Sequence, residues 1–400
     1  MPRDTRVDLI KQLQAKRQGR LLVVYVTSTR LGHEVQIADD AFRRIFDHLE
    51  AASETAKGGV DLFIHSNGGS GTVPWRIVNL IRQYAKTFAV LVPHHAFSAA
   101  TLIALGADEI VMHRMGNLGP IDPSVANIFN PANPLSPGQL APISVEDVSA
   151  FFKLVKDEVG INHEDELIQA LAALTEKVHP LALGNVQRSH HQARMMARKL
   201  LKLHMVKDAE EHEISQLIEN LKSNLFYHGH PINRKEAKDD LKLKVVDAPP
   251  DLEALMWKLY LEYEAELRLN EAFNPIHELE LKLQAQGQAP GQGPVTTQQI
   301  LIQMQQLAAN GLGLGGQFTE QQLVNIAAAM VPWVQGGGGA TAPGRRATLD
   351  PIPGVVIESV AMKDVYKTDL RVERAQINTP AGPQDGIKQE VLWQRWERET

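Results

Sequence analysis

Two short stretches carry residue types able to do covalent chemistry. The first is His65-Ser66-Asn67-Gly68-Gly69-Ser70, directly after the apolar run 59–66. Paired glycines at the C-terminal end of a strand permit positive φ and let the backbone approach a ligand. Successive N–H groups in such a bend hold an anion or a developing oxyanion; a plain strand-to-helix turn asks for glycine as well. The second stretch is Phe97-Ser98-Ala99-Ala100-Thr101, after the run 88–93. A serine opening a helix among alanines has an unobstructed Oγ, and the helix dipole with the next N–H favours negative charge there. That suits a nucleophile beside half an oxyanion hole. It also describes an N-cap serine with small residues for close packing. Ser98 follows Gly69 by 29 residues, the length of one helix and one strand. One crossover therefore sets both loops side by side at the C-terminal ends of neighbouring strands, where ligand crevices form.

The elements that must hold these loops follow from periodicity. Residues 21–28, 59–66, 88–93 and 109–113 are short apolar, β-branched runs of strands buried on both faces. Helical patterns fill the intervals at 37–52, 73–85 and 98–107, after a first helix within 4–20. This alternation predicts an α/β fold with right-handed crossovers and a mostly parallel sheet. Residues 123–143 carry five prolines and read as a loop or arm, and 144–225 as a helical section broken near Pro180 and Gly184. A helix and strand are expected in 231–247, then an amphipathic helix at 251–273 with Trp257, Leu259, Tyr260 and Tyr263 in the core or a subunit interface. Residues 284–344 hold a single charged residue, Glu320, among Gln, Gly, Ala and Pro, and read as a linker with possible short helices at 297–309 and 319–331. The expected organisation is a domain at 1–283, that linker, and an accessory segment at 345–400.

The run from Ile64 to Pro123 resembles the core of the Clp-fold serine peptidases, and most of all the signal peptide peptidase-like branch called serine dehydrogenase proteinases. The paired glycines, Ser98 with its small followers, Ala107-Asp108-Glu109-Ile110 and Leu118-Gly119-Pro120-Ile121-Asp122-Pro123 carry the resemblance, and His228 to Asp247 extends it. It covers roughly residues 5–265. The resemblance implies a Clp/crotonase-like ββα spiral and an endopeptidase needing no metal. Ser98 would be the nucleophile, and the N–H groups of Gly68 or Gly69 and of Ala99 the oxyanion hole. The Clp triad does not carry over, because Asp122 stands where its histidine would fall. The Ser-Lys dyad of signal peptide peptidases finds its nearest analogue in Lys177, 79 residues beyond Ser98 across the Pro-rich insertion. Lys153, Lys156 and a histidine such as His113 are rivals, and a lysine base must be desolvated to be neutral near pH 7. A non-catalytic scaffold that kept the fold and, less favoured, a crotonase-type acyl-CoA enzyme are the alternatives.

Composition narrows the field further. The chain has 400 residues, a net charge of −6 and no cysteine. Disulfides, thiolate nucleophiles and sulfur-ligated metals are excluded, and a reducing, cytoplasmic compartment suits the count. No cofactor and no metal site are expected: there is no HExxH, and the adjacent pairs His94-His95 and His190-His191 should point their rings apart. The absence of GxxxxGK[ST] argues against a built-in ATPase. No secretory signal or membrane span is visible. The basic stretch 187–207, with Met195, Leu200 and Leu203 as its buried side, is an anion face or a helix neutralised by the acidic residues after it; nucleic acid is not expected. The expected partners are a peptide or protein substrate, further copies of the chain in a homo-oligomer, and a protein partner for the tail.

Overall fold

The computed structural model describes residues 3–121, 124–125, 127–133, 140–141, 143–205, 210–223, 230–286, 346–379 and 382–399. Most of the 284–344 linker, with both of its predicted short helices, lies outside them, as do Asp122 and His228.

Four parallel strands, β1 (Leu21–Thr27), β2 (Val60–His65), β3 (Phe88–Val92) and β4 (Glu109–Met112), pair in chain order. A fifth, β5 (Val245–Asp247), adds in parallel beyond β4. Every residue of β1, β2 and β3 is buried. Alternation splits each strand between two cores: Val23, Tyr25, Leu62, Ile64 and Val90 face one, and Leu22, Val24, Phe63 and Leu91 the other.

The first core is covered by α2 (Ala41–Ala51), α3 (Val73–Tyr84) and α4 (Ala99–Leu105). The second lies under α1 (Arg3–Lys16). The helical section contains α5 (Val145–Lys153), continued by a π-turn to Glu158, α6 (Glu164–Lys177), α7 (Pro180–Leu201) and α8 (Glu210–Ser223). Pro180 opens α7 as expected, but Gly184 sits inside that helix without breaking it. The buried side of α7 is Met196, Ala197, Leu200 and Leu201, while Met195 is exposed, so the buried stripe is offset from the one expected. Arg198 and Lys202 both pair with Glu211, and Arg194 with Glu219, so carboxylates of α8 neutralise the basic stretch.

A short α9 (Arg234–Asp239) precedes β5, and α10 (Pro250–Glu266) follows it. Leu252, Met256, Leu259, Tyr260 and Tyr263 of α10 are spent inside the chain, against α1 and the sheet. The apolar side expected of this helix therefore belongs to the core. The next helix, α11 (Pro275–Ala285), is N-capped by Asn274, which accepts from the Ile276 and His277 amides.

Residues 346–399 extend the sheet on its other side. After β6 (Arg346–Thr348), strand β7 (Ile352–Glu358) pairs antiparallel with β1, and a long hairpin of β8 (Lys363–Thr379) and β9 (Gly382–Glu399) follows. The β1–β7 seam is fastened by a buried cluster. Arg6 Nε donates to Glu358 Oε2 at 2.8 Å, and the Tyr263 hydroxyl donates to the same oxygen at 2.8 Å. The two charged side chains are 3% and 0% exposed. Three remote segments thus meet on one carboxylate. Arg6 also pairs with Glu266 at 2.9 Å, so loss of Glu358 leaves the guanidinium with one of its two carboxylates. Glu358→Ala is expected to cost about 3 kcal/mol, the low end for a broken buried pair, while Arg6→Met with Glu358→Leu together recovers most of it; urea denaturation midpoints check both.

Candidate active site

The bend after β2 and the turn after β3 are laced together by main chain. Ser66 N–H donates to His95 O at 2.9 Å, and Phe97 N–H to Ser66 O at 3.0 Å. The bend is also tied to the stretch before α2: Ile37 N–H donates to Gly68 O at 2.8 Å, and Ser70 N–H to Ile37 O at 2.9 Å. Both glycines have positive φ, +103° at Gly68 and +154° at Gly69. A Cβ on Gly68 would fall 2.6 Å from Ser98 Cβ and 2.7 Å from Phe97 O; one on Gly69 would fall 2.3 Å from Ile37 O. Close approach, more than turn geometry, requires glycine here.

Ser98 stands before α4 with φ 51° and ψ −112°, and its side chain makes no capping bond. The N-cap reading of this serine is therefore not what the structure shows. A non-glycine residue in this conformation costs about 1–3 kcal/mol and persists only where its surroundings force it. Ser98 is half-buried and Ala99 fully buried. Among the described residues, the N–H groups of Gly69 and Ala99 have no acceptor, whereas Gly68 N–H is taken by Ser66 Oγ at 3.0 Å. Ser66 Oγ itself accepts from Thr27 Oγ1 at 2.8 Å.

Sequence reasoning passed over Ser66 and Thr101. Ser66, two residues before Gly68, pins the bend from inside. Thr101 Oγ1 lies 2.7 Å from Ala96 O and 2.9 Å from Gly119 O and accepts from Gly119 N–H, which fixes the Leu118-Gly119-Pro120 stretch beside Phe97. Hydroxyl residues flanking a nucleophile motif were the available signal.

The expected bases do not gather around Ser98. Lys177 is exposed at the end of α6, and Lys153 and Lys156 are exposed too. His113 stacks on Trp257, with centroids 5.0 Å apart, and its Nδ1 accepts from Met115 N–H. Among the described residues no side chain bonds Ser98 Oγ.

His65, His94 and His95 form a cluster behind Phe97. His94 and His95 rings stack at 3.9 Å, and His95 stacks on Phe97 at 4.6 Å, so the adjacent pair does not diverge as expected. The chain turns between β3 and the short strand His95–Ala96, which lays one ring over the other. The three residues offer nitrogens within 4.8 Å of one another. Their rings lie within 6° to 26° of parallel. A metal ion sits in the plane of each imidazole that binds it, about 2.0–2.1 Å from nitrogen for zinc; near-parallel planes share no such point. His65 Nδ1 accepts from His95 N–H and its Nε2 meets Thr29 Oγ1, while His94 Nδ1 meets the Tyr260 hydroxyl. As arranged, these rings are a stack and not a cage.

Burial first, and the neighbouring rings second, hold His65 well below the usual histidine range and His95 at about 4; burial lowers His94 as well. A neutral stack is the result.

A serine-histidine-aspartate arrangement lies elsewhere. His48 Nδ1 is 2.8 Å from Ser359 Oγ, and its Nε2 is 3.4 Å from Asp364 Oδ2. All three residues are 0% exposed, so no substrate reaches them. They join α2 to the turn between β7 and β8.

Parallel strands thus end in a paired-glycine bend and a strained, half-buried serine. Residues 3–137 match the family model of ClpP-like SDH-type serine proteinases, a match that supports a serine peptidase at family level. An uncharacterised protein of Methanocaldococcus jannaschii is 29% identical over 263 residues, covering 64% of this chain and 78% of that one. A second from the same organism is 38% identical over 66 residues, covering 16% of this chain and 23% of its own. Among solved structures, a mutant of a membrane-bound stomatin-specific protease has TM-score 0.34 at 13% identity, covering 58% of this chain and 82% of its own. ClpP1 from Listeria monocytogenes has TM-score 0.30 at 14% identity, covering 61% and 99%. Among the described residues, no helix is long and apolar enough to cross a membrane.

Two outcomes follow. Replacing Ser98 by glycine relieves the positive φ and is expected to stabilise the fold by about 1 kcal/mol, whereas Ser98→Ala keeps the strain; thermal melts of the two variants compare them. The depressed histidines bind protons more readily when unfolded, so their stability is complete above pH ~6.5 and lost as pH falls toward 4. The melting temperature is expected to drop by roughly a few degrees across that window, and His95→Phe to flatten the drop.

Proposed function

We propose that this protein is a serine endopeptidase acting through an acyl-enzyme on Ser98. The observation that carries the reading is the strained, half-buried Ser98 packed against a paired-glycine bend, with the amides of Gly69 and Ala99 unspent. In this reading Ser98 Oγ bonds to the carbonyl carbon of a peptide. The carbonyl oxygen takes up negative charge and is held by the two N–H groups. The serine proton passes to a base and then to the departing amine as the C–N bond breaks, and water hydrolyses the ester. No step draws on a nucleotide or a metal.

Lys177 is the proposed base, in a homo-oligomer. α6 buries none of its residues and exposes Ile168 and Leu171. A second copy packed over the C-terminal end of α6 would remove water from Lys177, the condition a neutral lysine needs. Light scattering is expected to give an oligomer, and Lys177→Met to lower peptide hydrolysis by about 10²–10⁴-fold. A non-catalytic binding role is the second reading, favoured by the lack of any side chain bonded to Ser98 Oγ among the described residues. A fluorophosphonate probe separates the two. Wild type is expected to take one label at Ser98 by mass spectrometry, and Ser98→Ala none. An unlabelled wild type with no peptide hydrolysis leaves only the binding role.

A further inference from the structure

A cavity of about 370 Å³ opens between the 32–41 stretch and the β7–β9 strands, within the ~300–1,000 Å³ typical of ligand sites. Val35, Gln36 and Ala38 form one wall. That wall is shared with the candidate active site: the intervening Ile37 pairs with the glycine bend, and Gln36 Cβ touches the position a Gly69 Cβ would take. An extended peptide crossing the bend therefore reaches the cavity within a short run of residues.

The lining has one chemical character. Tyr25, Tyr366 and Trp396 give aromatic walls, with Val355 and Leu370 between them. Two carboxylates line it, Glu34 and Asp40, and no lysine or arginine does. Asp40 Oδ2 accepts from Trp396 Nε1 at 2.8 Å, which among the described residues leaves Oδ1 free to accept. The negative charge of Asp40 acts on the hydroxyls of both Tyr25 and Tyr366. Tyr25 is 1% exposed, and its hydroxyl has only the Ala38 backbone beside it; the buried His33 Nε2 has no hydrogen-bond partner. Burial, ahead of the Arg30 charge, holds His33 near 4, so it adds no positive charge near pH 7. Arg30 lies over the Phe273 ring at 5.1 Å and Arg44 over the Trp396 ring at 5.9 Å, and neither lines the cavity. Unpaired buried polar groups are costly and ask for a partner. Aromatic faces with a carboxylate at their rim suit a cation on an apolar stem.

We infer that this cavity is a specificity subsite for a lysine or arginine side chain of the peptide substrate. The stem lies along Val355 and the aromatic rings, its N–H groups reach Asp40 and the Tyr25 hydroxyl, and Glu34 adds negative charge at the mouth. The inference rests on the peptidase reading, so its test has two arms. In the first, peptide mixtures are digested by the full chain and the cleavage sites are sequenced by mass spectrometry. Lysine and arginine are expected to be enriched about tenfold or more at one fixed position from the cut, and Asp40→Asn and Tyr25→Phe each to lower the ratio of basic to neutral residues there. Absence of enrichment, or enrichment unmoved by both variants, overturns the subsite. In the second arm, Ser98→Ala is titrated with N-acetyl-arginine methylamide and N-acetyl-norleucine methylamide by calorimetry. Tighter binding of the arginine compound, lost in Ser98→Ala with Asp40→Asn, supports the subsite even if wild type cleaves nothing, in which case the peptidase reading alone fails. Equal or undetectable binding of both compounds overturns the subsite.

Discussion

The contact between Gly68 and Ser98 governs the geometry of this molecule. There is no room for a single carbon between the two backbones. That closeness forces glycine on one side and an unfavourable φ on the other, and it turns the serine away from its capping role. Everything that holds the contact lies behind it. Ser66 and Thr27 fix the bend from within, Ile37 from the flank, and Thr101 fixes the segment after β4. Strain at one residue survives because several bonds in unrelated parts of the chain oppose its release.

Burial decides which polar groups can act. Ser359, His48 and Asp364 reproduce the membership of a hydrolytic triad in a place water does not enter, where they serve only to hold α2 to the sheet. The histidines behind Phe97 are equally suggestive by type, but desolvation and their mutual proximity keep them uncharged and stacked. Ser98 has less company, and it stays half-buried at the mouth of the glycine bend.

Much of the scaffold was legible because its strands are buried on both faces. Continuous apolar runs such as Leu21–Val26 have few alternatives, and the crossovers between them follow the usual hand. Ser98 and the two glycines were legible for a related reason: small residues after a buried strand must answer to close packing or to chemistry. The interval after Pro123 was harder to read. The offset of the stripe on α7 and the harmless Gly184 depend on which neighbours cover the helix, and a single sequence does not contain that. The stacking of His94 on His95 depends on a turn that periodicity does not describe. The place of residues 346–399 was hidden for a topological reason. Their strand character is ordinary, and nothing local says that β7 seeks β1 across some three hundred positions.

That long reach has a consequence for how the molecule is made. β1 is synthesised some three hundred residues ahead of its antiparallel partner, and that edge stays unpaired until Ile352–Glu358 have followed. An unpaired edge of this kind invites foreign strands. The nascent chain must therefore be shielded over that interval, and the sheet behind Ser98 is completed only once the β7 segment has emerged.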